Sequence, residues 1–125
     1  PLINMPPANF KNEIIYKNSE YNNLRMSLQS NYVFRQNEFP NNNFEVYIPQ
    51  TETYELVDFS TPPNAYHLLN FNSSIDFKTS NKTALTVGLE ISNLLNTSYR
   101  NYLSRLRLYA DDLGRNFLLT FKLNY

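Results

Sequence analysis

The last ten residues, NFLLTFKLNY, alternate without a break. Phe117, Leu119, Phe121, Leu123 and Tyr125 fall on one side, and Asn116, Leu118, Thr120, Lys122 and Asn124 on the other. A strand turns successive side chains to opposite faces, so this segment is a strand with one apolar surface and one mostly polar surface, ending on an aromatic. Four earlier segments repeat the pattern, and together they constrain the chain to an antiparallel sheet with a greasy side and a wet side.

The first of these runs from about Phe10 to Lys17, with Phe10, Asn12, Ile14 and Tyr16 opposite Lys11, Glu13, Ile15 and Lys17. After a short turn at Asn18–Asn22 the second covers about residues 23–35. Its apolar row is Leu24, Met26, Leu28, Ser30, Tyr32 and Phe34. A long connection, about 36–65, holds Pro40, Pro49, Pro62 and Pro63. The third strand, about 66–77, sets Leu69, Phe71, Ser73, Ile75 and Phe77 opposite Asn70, Asn72, Ser74 and Asp76. A short turn, Lys78–Lys82, leads to the fourth, about 83–94, with Leu85, Val87, Leu89 and Ile91 in its apolar row. A second long connection, about 95–113, precedes the terminal strand, about 114–125. Within the first connection, FEVYIP and TYELVDF alternate well enough to form a hairpin extension.

The charges within these strands, taking the last from Asn116, are Lys11, Glu13, Lys17, Arg25, Arg35, Asp76, Glu90 and Lys122, and every one lies on a polar row. A charge facing lipid at the bilayer midplane costs roughly 2–4 kcal/mol. A soluble sheet would segregate its charges in the same way. The connections discriminate better: they run short, long, short, long, as in outer-membrane barrels with tight periplasmic turns and long external loops. Ten residues at about 3.3 Å each, tilted near 45°, span an apolar band of roughly 25 Å. Five strands cannot close a barrel, which leaves two unpaired edges. The expected fold is therefore all-β: an antiparallel meander of about five strands, part of a larger transmembrane β-barrel, with Tyr125 on the periplasmic side.

Composition narrows the alternatives. With 42% hydrophobic and 15% aromatic residues the chain is too apolar for disorder. Its 11 basic and 11 acidic residues balance, which implies no nucleic acid or other polyanion as partner. Cysteine is absent, so disulfides and thiolate chemistry are excluded. No apolar run reaches the roughly 20 residues a membrane helix needs. The chain starts without Met or a signal-type segment, so the expectation is a processed chain or a piece of a longer one. Asparagine is abundant, with a run at Asn41–Asn43, and suits loops and polar strand faces. The glycosylation-type triplets at Asn72, Asn81 and Asn96 are what chance gives at this asparagine content.

The stretch GLEISNLLNTSYRNYLSRLRLYADDLGRNFLLTFKLNY, Gly88–Tyr125, resembles the C-terminal end of TonB-dependent outer-membrane receptors. The resemblance rests on Asn93, Leu94, Leu95, Asn96 and Tyr99, then Gly114, Arg115, Asn116 and Phe117, then the terminal Tyr125, where phenylalanine is commoner. YRNYLSRLR (Tyr99–Arg107) resembles the loop that receptors of metal-chelate type carry there. TPPNAYHLLN (Thr61–Asn70) and PLINMPPANF (Pro1–Phe10) resemble segments entering earlier strands. The resemblance implies the C-terminal portion of a barrel in the outer membrane of a Gram-negative bacterium, importing a scarce ligand such as a ferric siderophore, haem or another metal complex. It implies as partners the rest of the barrel and its plug domain, outer-membrane lipid, the TonB system through the N-terminal part, and the barrel-assembly machinery. No cofactor and no catalysis are expected. A passive porin, or a soluble β-sandwich or β-barrel binding module, shares most of the physical features.

Two groups of residues are candidates for function. Phe121, Leu123 and Tyr125 resemble the signal read by the assembly machinery; otherwise they are girdle residues. Arg100, Arg105 and Arg107 stand in the second loop, while the first carries Glu38, Glu45, Glu52, Glu55 and Asp58 and no base. Either the loops pair with each other, each exposed pair contributing under about 1 kcal/mol, or the arginines grip an anionic chelate or lipopolysaccharide phosphate. Leu95, Tyr99, Tyr102, Leu103, Leu106 and Tyr109 have helical spacing, which fits either an amphipathic helix on a membrane surface or an ordered loop with a buried apolar face. His67 is the only histidine and belongs to no catalytic or metal motif. Asp76 and Glu90, on the polar face, are expected to pair with basic neighbours or with a plug.

Overall fold

A computed structural model describes residues 4–125. The first three residues of the Pro1–Phe10 stretch lie outside the described part. Seven antiparallel strands, and among the described residues no helix, make the chain all-β. β1 (Asn9–Asn18), β2 (Leu24–Val33), β5 (Tyr66–Lys78), β6 (Ala84–Ser92) and β7 (Asn116–Asn124) form one sheet in the order β1-β2-β5-β6-β7. The hairpin of β3 (Phe44–Ile48) and β4 (Thr53–Val57) is a separate two-stranded sheet inside the first long connection. The main sheet thus has the five strands expected, and the hairpin adds two.

Register brings the apolar rows together. Ile14 lies opposite Leu28, Leu28 opposite Phe71, Phe71 opposite Ile91, and Ile91 opposite Phe117. That line crosses all five strands without a polar residue. One rung towards the short turns, Tyr16, Met26, Ser73, Leu89 and Leu119 are aligned the same way. Because side chains alternate with period two, one matched rung fixes every other rung, and a slip by one residue would scatter the rows over both faces. The sheet therefore has one apolar face and one polar face across its full width.

Successive ladders are staggered. β5 pairs with β2 over Tyr66–Ser74 and with β6 over Phe71–Lys78, so the second ladder starts five residues later (71 minus 66) and ends four later (78 minus 74). Stagger of this kind accompanies strands that tilt across a curved sheet.

The sheet has almost no core. Among the described residues the only buried hydrophobic side chains are Val33 and Tyr102. Leu119, Phe121 and Leu123 are 56%, 63% and 59% exposed. The accessible surface is 9693 Å². A compact monomer of 14.7 kDa would show roughly 6,900 Å². The excess is too large for scattered surface leucines; it is a whole sheet face without a partner.

The turns use asparagine where glycine is usual. The chain has two glycines, and neither has a positive φ. Asn4, Asn22, Asn23, Glu52, Asn93 and Asn96 take the left-handed conformation, with φ between 51° and 59°. Asparagine visits that region more readily than other L residues because its short amide bonds the local backbone. Its abundance thus reflects turn geometry as well as polar strand faces.

One alternative falls away. The helical spacing over Leu95–Tyr109 yields no helix, and turns occupy residues 102–103 and 105–109. Only Tyr102 of that set is buried, whereas Leu95, Leu103, Leu106 and Tyr109 are exposed. Three asparagine and serine side chains bond to the backbone two to four residues on and compete with a helix: Asn93 to Thr97, Asn101 to Leu103 and Ser104 to Leu106.

Candidate functional site

The two long connections leave the same end of the sheet, opposite the short turns at residues 19–23 and 79–83. The second is clamped at its base. Asn93, 4% exposed and at φ 51°, accepts the Thr97 N–H through Oδ1 at 2.8 Å and donates Nδ2 to the Thr97 carbonyl at 2.8 Å. Its own N–H bonds Oδ1 of Asn70 on β5 at 3.0 Å. Thr97 Oγ1 donates to the His67 carbonyl at 3.1 Å. The Tyr66 and Tyr99 rings stack at 4.6 Å between centroids. The Asn93–Tyr99 segment is thereby tied to the start of β5.

The loop's exit is tied to its entrance. Asn96 Oδ1 accepts the Arg115 N–H at 2.9 Å, and the Tyr99 carbonyl accepts the Asp112 N–H at 2.8 Å. A Cβ on Gly114 would stand 2.9 Å from Asn96 Oδ1, so glycine is needed there for close approach. The two halves of the motif that carries the family resemblance thus meet in space and hold the loop closed.

Of the three candidate arginines, two are engaged in structure. Arg100 Nε pairs with Asp111 Oδ1 at 2.6 Å, the sole ion pair among the described residues, and Nη1 donates to the Arg107 carbonyl at 3.0 Å. Ser98 also donates to Asp111. The Arg100 hydrogen bond, then that of Ser98, holds the Asp111 carboxyl below the ordinary aspartate value of 3.8. Arg107 lies 4.3 Å over the Tyr102 ring, donates to the Tyr102 carbonyl, and reaches the Phe59 carbonyl of the first loop at 3.0 Å. Arg105 is exposed. The loops therefore join through a guanidinium and a main-chain carbonyl. The expected pairing between the acids of one loop and the arginines of the other is absent among the described residues.

Arg107, Tyr102, Phe59, Ser60 and Pro40 border a pocket of about 140 Å³ between the loops. The first loop beside it is built on carboxylate and amide caps. Asp58 Oδ1 takes the Ser60 and Thr61 N–H groups at 3.2 and 3.0 Å, and Asn43 Oδ1 takes those of Phe59 and Ser60 at 3.2 and 3.0 Å. The Thr61 hydroxyl and then its amide lower the Asp58 pKa below 3.8.

The remaining candidates lie apart from this cluster. Phe121 and Leu123 sit on edge strand β7 opposite Val87 and Leu85, and Tyr125 follows it fully exposed. On the polar face Asp76 bonds Thr86 Oγ1 at 2.7 Å and Asn23 Nδ2 at 3.2 Å, and Glu90 has only a 3.5 Å contact from Ser92. Among the described residues neither carboxylate pairs with a basic neighbour. His67 Nε2 lies 2.7 Å from Ser30 Oγ on the apolar face. A scan against protein-family models, a search of curated proteins and a search of solved structures return no match.

Proposed function

We propose that this chain is a wall segment of an outer-membrane β-barrel, the C-terminal portion of a TonB-dependent receptor that imports a scarce ligand such as a ferric siderophore, haem or another metal complex. One observation carries the membrane part of this reading: five apolar rows, contributed by five strands, merge into a single exposed face. Such a face is stable in hydrocarbon and a liability in water. Aromatics mark both ends of it, with Phe10 and Tyr32 towards the long loops and Tyr16, Phe77 and Tyr125 towards the short turns. Aromatic girdles of this kind flank the apolar band of outer-membrane barrels. The polar face would line the lumen, and the stagger of the ladders suits strands inclined in a cylinder wall.

The receptor part rests on the terminal motifs. Their geometry gives the resemblance a physical content, because Asn93, Asn96, Gly114 and Arg115 form a clamp that keeps a long external loop ordered. A soluble sandwich would need its apolar rows packed face to face, and a single open face does not supply that.

Because the chain has no cysteine, single cysteines test the membrane reading cleanly. Spin labels at Leu119 and Phe121, in protein reconstituted in bilayers, are expected to be relaxed by oxygen and shielded from a water-soluble nickel chelate. Labels at Thr120 and Lys122 should show the reverse. Equal access at all four positions, or a folded monodisperse protein without detergent, overturns the barrel. The import role is tested separately. Cells lacking the protein that carries this chain should lose energised uptake of one metal chelate while passive permeability is unchanged.

A further inference from the structure

We propose that the β3–β4 hairpin is a docking surface for a basic polypeptide segment. The segment adds as a third strand along an open edge and sets lysine or arginine side chains against the paired rings of Tyr47 and Tyr54. This goes beyond the import reading and does not depend on which ligand is carried.

Among the described residues the hairpin pairs with no other strand, so β3 and β4 each keep one open edge of strand N–H and C=O groups. Such edges template the pairing of a further strand. Two five-residue strands are also marginal alone, so a third strand adds stability that the hairpin lacks. Its base is anchored where Phe44 packs on Phe59, with centroids 5.6 Å apart.

One face carries Tyr47 opposite Tyr54 and Glu45 opposite Leu56. The two rings lie 5.2 Å apart and are 48% and 69% exposed. A cation held over exposed tyrosine faces gains cation–π attraction. The loop that carries the hairpin has charged residues of one sign. Residues 36–65 contain Glu38, Glu45, Glu52, Glu55 and Asp58 and no lysine, arginine or histidine. Among the described residues none of these acids forms an ion pair. An unneutralised acidic and aromatic surface with free strand edges selects an extended cationic partner and repels phosphate-bearing lipid.

The probe is a short extended peptide alternating lysine and valine, titrated into the purified protein in a neutral detergent and followed by calorimetry. Saturable binding is expected, with no binding of the glutamate–valine counterpart. Reversal of the exposed charge on the tyrosine face, Glu45→Lys, should weaken it by roughly tenfold or more, the scale of a reversed close charge pair. Alternate N-methylation of the peptide, which blocks edge pairing and leaves the protein untouched, should abolish it. No saturable binding overturns the proposal. So does equal binding of both peptides, indifference to the charge reversal, or retained binding of the N-methylated peptide. Self-association of the protein that the same reversal abolishes would assign the surface to a second copy and overturn it too.

Discussion

The side-chain carbonyl of Asn96 accepts the backbone N–H of Arg115 at 2.9 Å, across a loop of eighteen intervening residues. Asn96 holds the left-handed conformation, φ 53°, just past the end of β6, and Arg115 stands just before β7. One amide therefore fixes the spacing between the residue that ends one strand's exit turn and the residue that opens the next strand. The loop between them carries both arginines that are engaged in structure, so its order decides what it can present.

Gly114→Ala should undo this lock. The added methyl lies 2.9 Å from Asn96 Oδ1, and that atom cannot retreat without releasing Arg115. The loss is one hydrogen bond, about 1 kcal/mol, with local displacement. Limited proteolysis between residues 100 and 112 should accelerate several-fold. Gly88→Ala is the control. Its Cβ would meet Thr120 at an ordinary 3.7 Å, so the change should be neutral or stabilising by up to about 1 kcal/mol.

Asn93 combines a left-handed backbone with buried bonds to both main-chain groups of Thr97. Asn93→Ala loses the bonds and strains the backbone, and should destabilise the outer end of the sheet by about 2–3 kcal/mol. Asn93→Gly keeps the backbone free and loses only the amide, so it should fall between the two. Hydrogen exchange at Leu94, whose N–H bonds the Leu69 carbonyl, reports the effect. Equal losses for alanine and glycine would mean that φ at this position is unimportant.

Strand periodicity made the main sheet legible from sequence. Rows such as Leu85–Val87–Leu89–Ile91 and Phe117–Phe121 carry their own phase, and antiparallel pairing then sets neighbours rung by rung. The hairpin at Phe44–Val57 was visible in its alternation for the same reason. The second loop was not legible. Leu95, Tyr99, Tyr102 and Leu106 have helical spacing, yet local bonds from Asn93, Asn101 and Ser104 favour turns, and spacing says nothing about such competition. The fates of Arg100 and Arg107 depended on Asp111 and on the Phe59 carbonyl, and contacts of this range have no sequence signature. Two glycines against abundant asparagine was the available clue to five left-handed asparagines.

The loop contacts made by Asp111 and Asp58 should open in acid before the sheet does. The folded pKa values of Asp111 and Asp58 lie below 3.8, because hydrogen bonds favour their charged forms. A depressed folded pKa stabilises above the unfolded value, and that contribution is lost as pH falls through the folded one. At the other extreme, burial and then the charge of Asp112 raise the Tyr99 hydroxyl above 10.0. The neutral ring therefore stabilises below 10.0, and the contribution disappears as pH rises through the folded value. Loop protection against protease should be flat between these limits and fall below about pH 4 and above about pH 10. Asp111→Asn should flatten part of the acid limb. An unchanged acid limb in the Asp111→Asn, Asp58→Asn double variant would show that other groups govern it.

Two adjacent residues of β7 give the sharpest test of which face meets lipid. Leu119 lies in the apolar row beside Leu89, and Thr120 lies on the polar face beside Gly88. Both are exposed, so neither Leu119→Lys nor Thr120→Lys removes a packed side chain, and packing alone predicts a change of no more than about 0.5 kcal/mol at either site. In a bilayer the two separate. Lysine at Leu119 faces hydrocarbon and should cost roughly 2–4 kcal/mol, depending on its depth, whereas lysine at Thr120 stays wetted and costs almost nothing. Denaturant titration of both variants in phospholipid bilayers reads the difference directly. A penalty at Leu119 with none at Thr120 assigns the apolar face to the membrane. Equal penalties at the two positions, or a larger one at Thr120, would show that hydrocarbon does not meet this face.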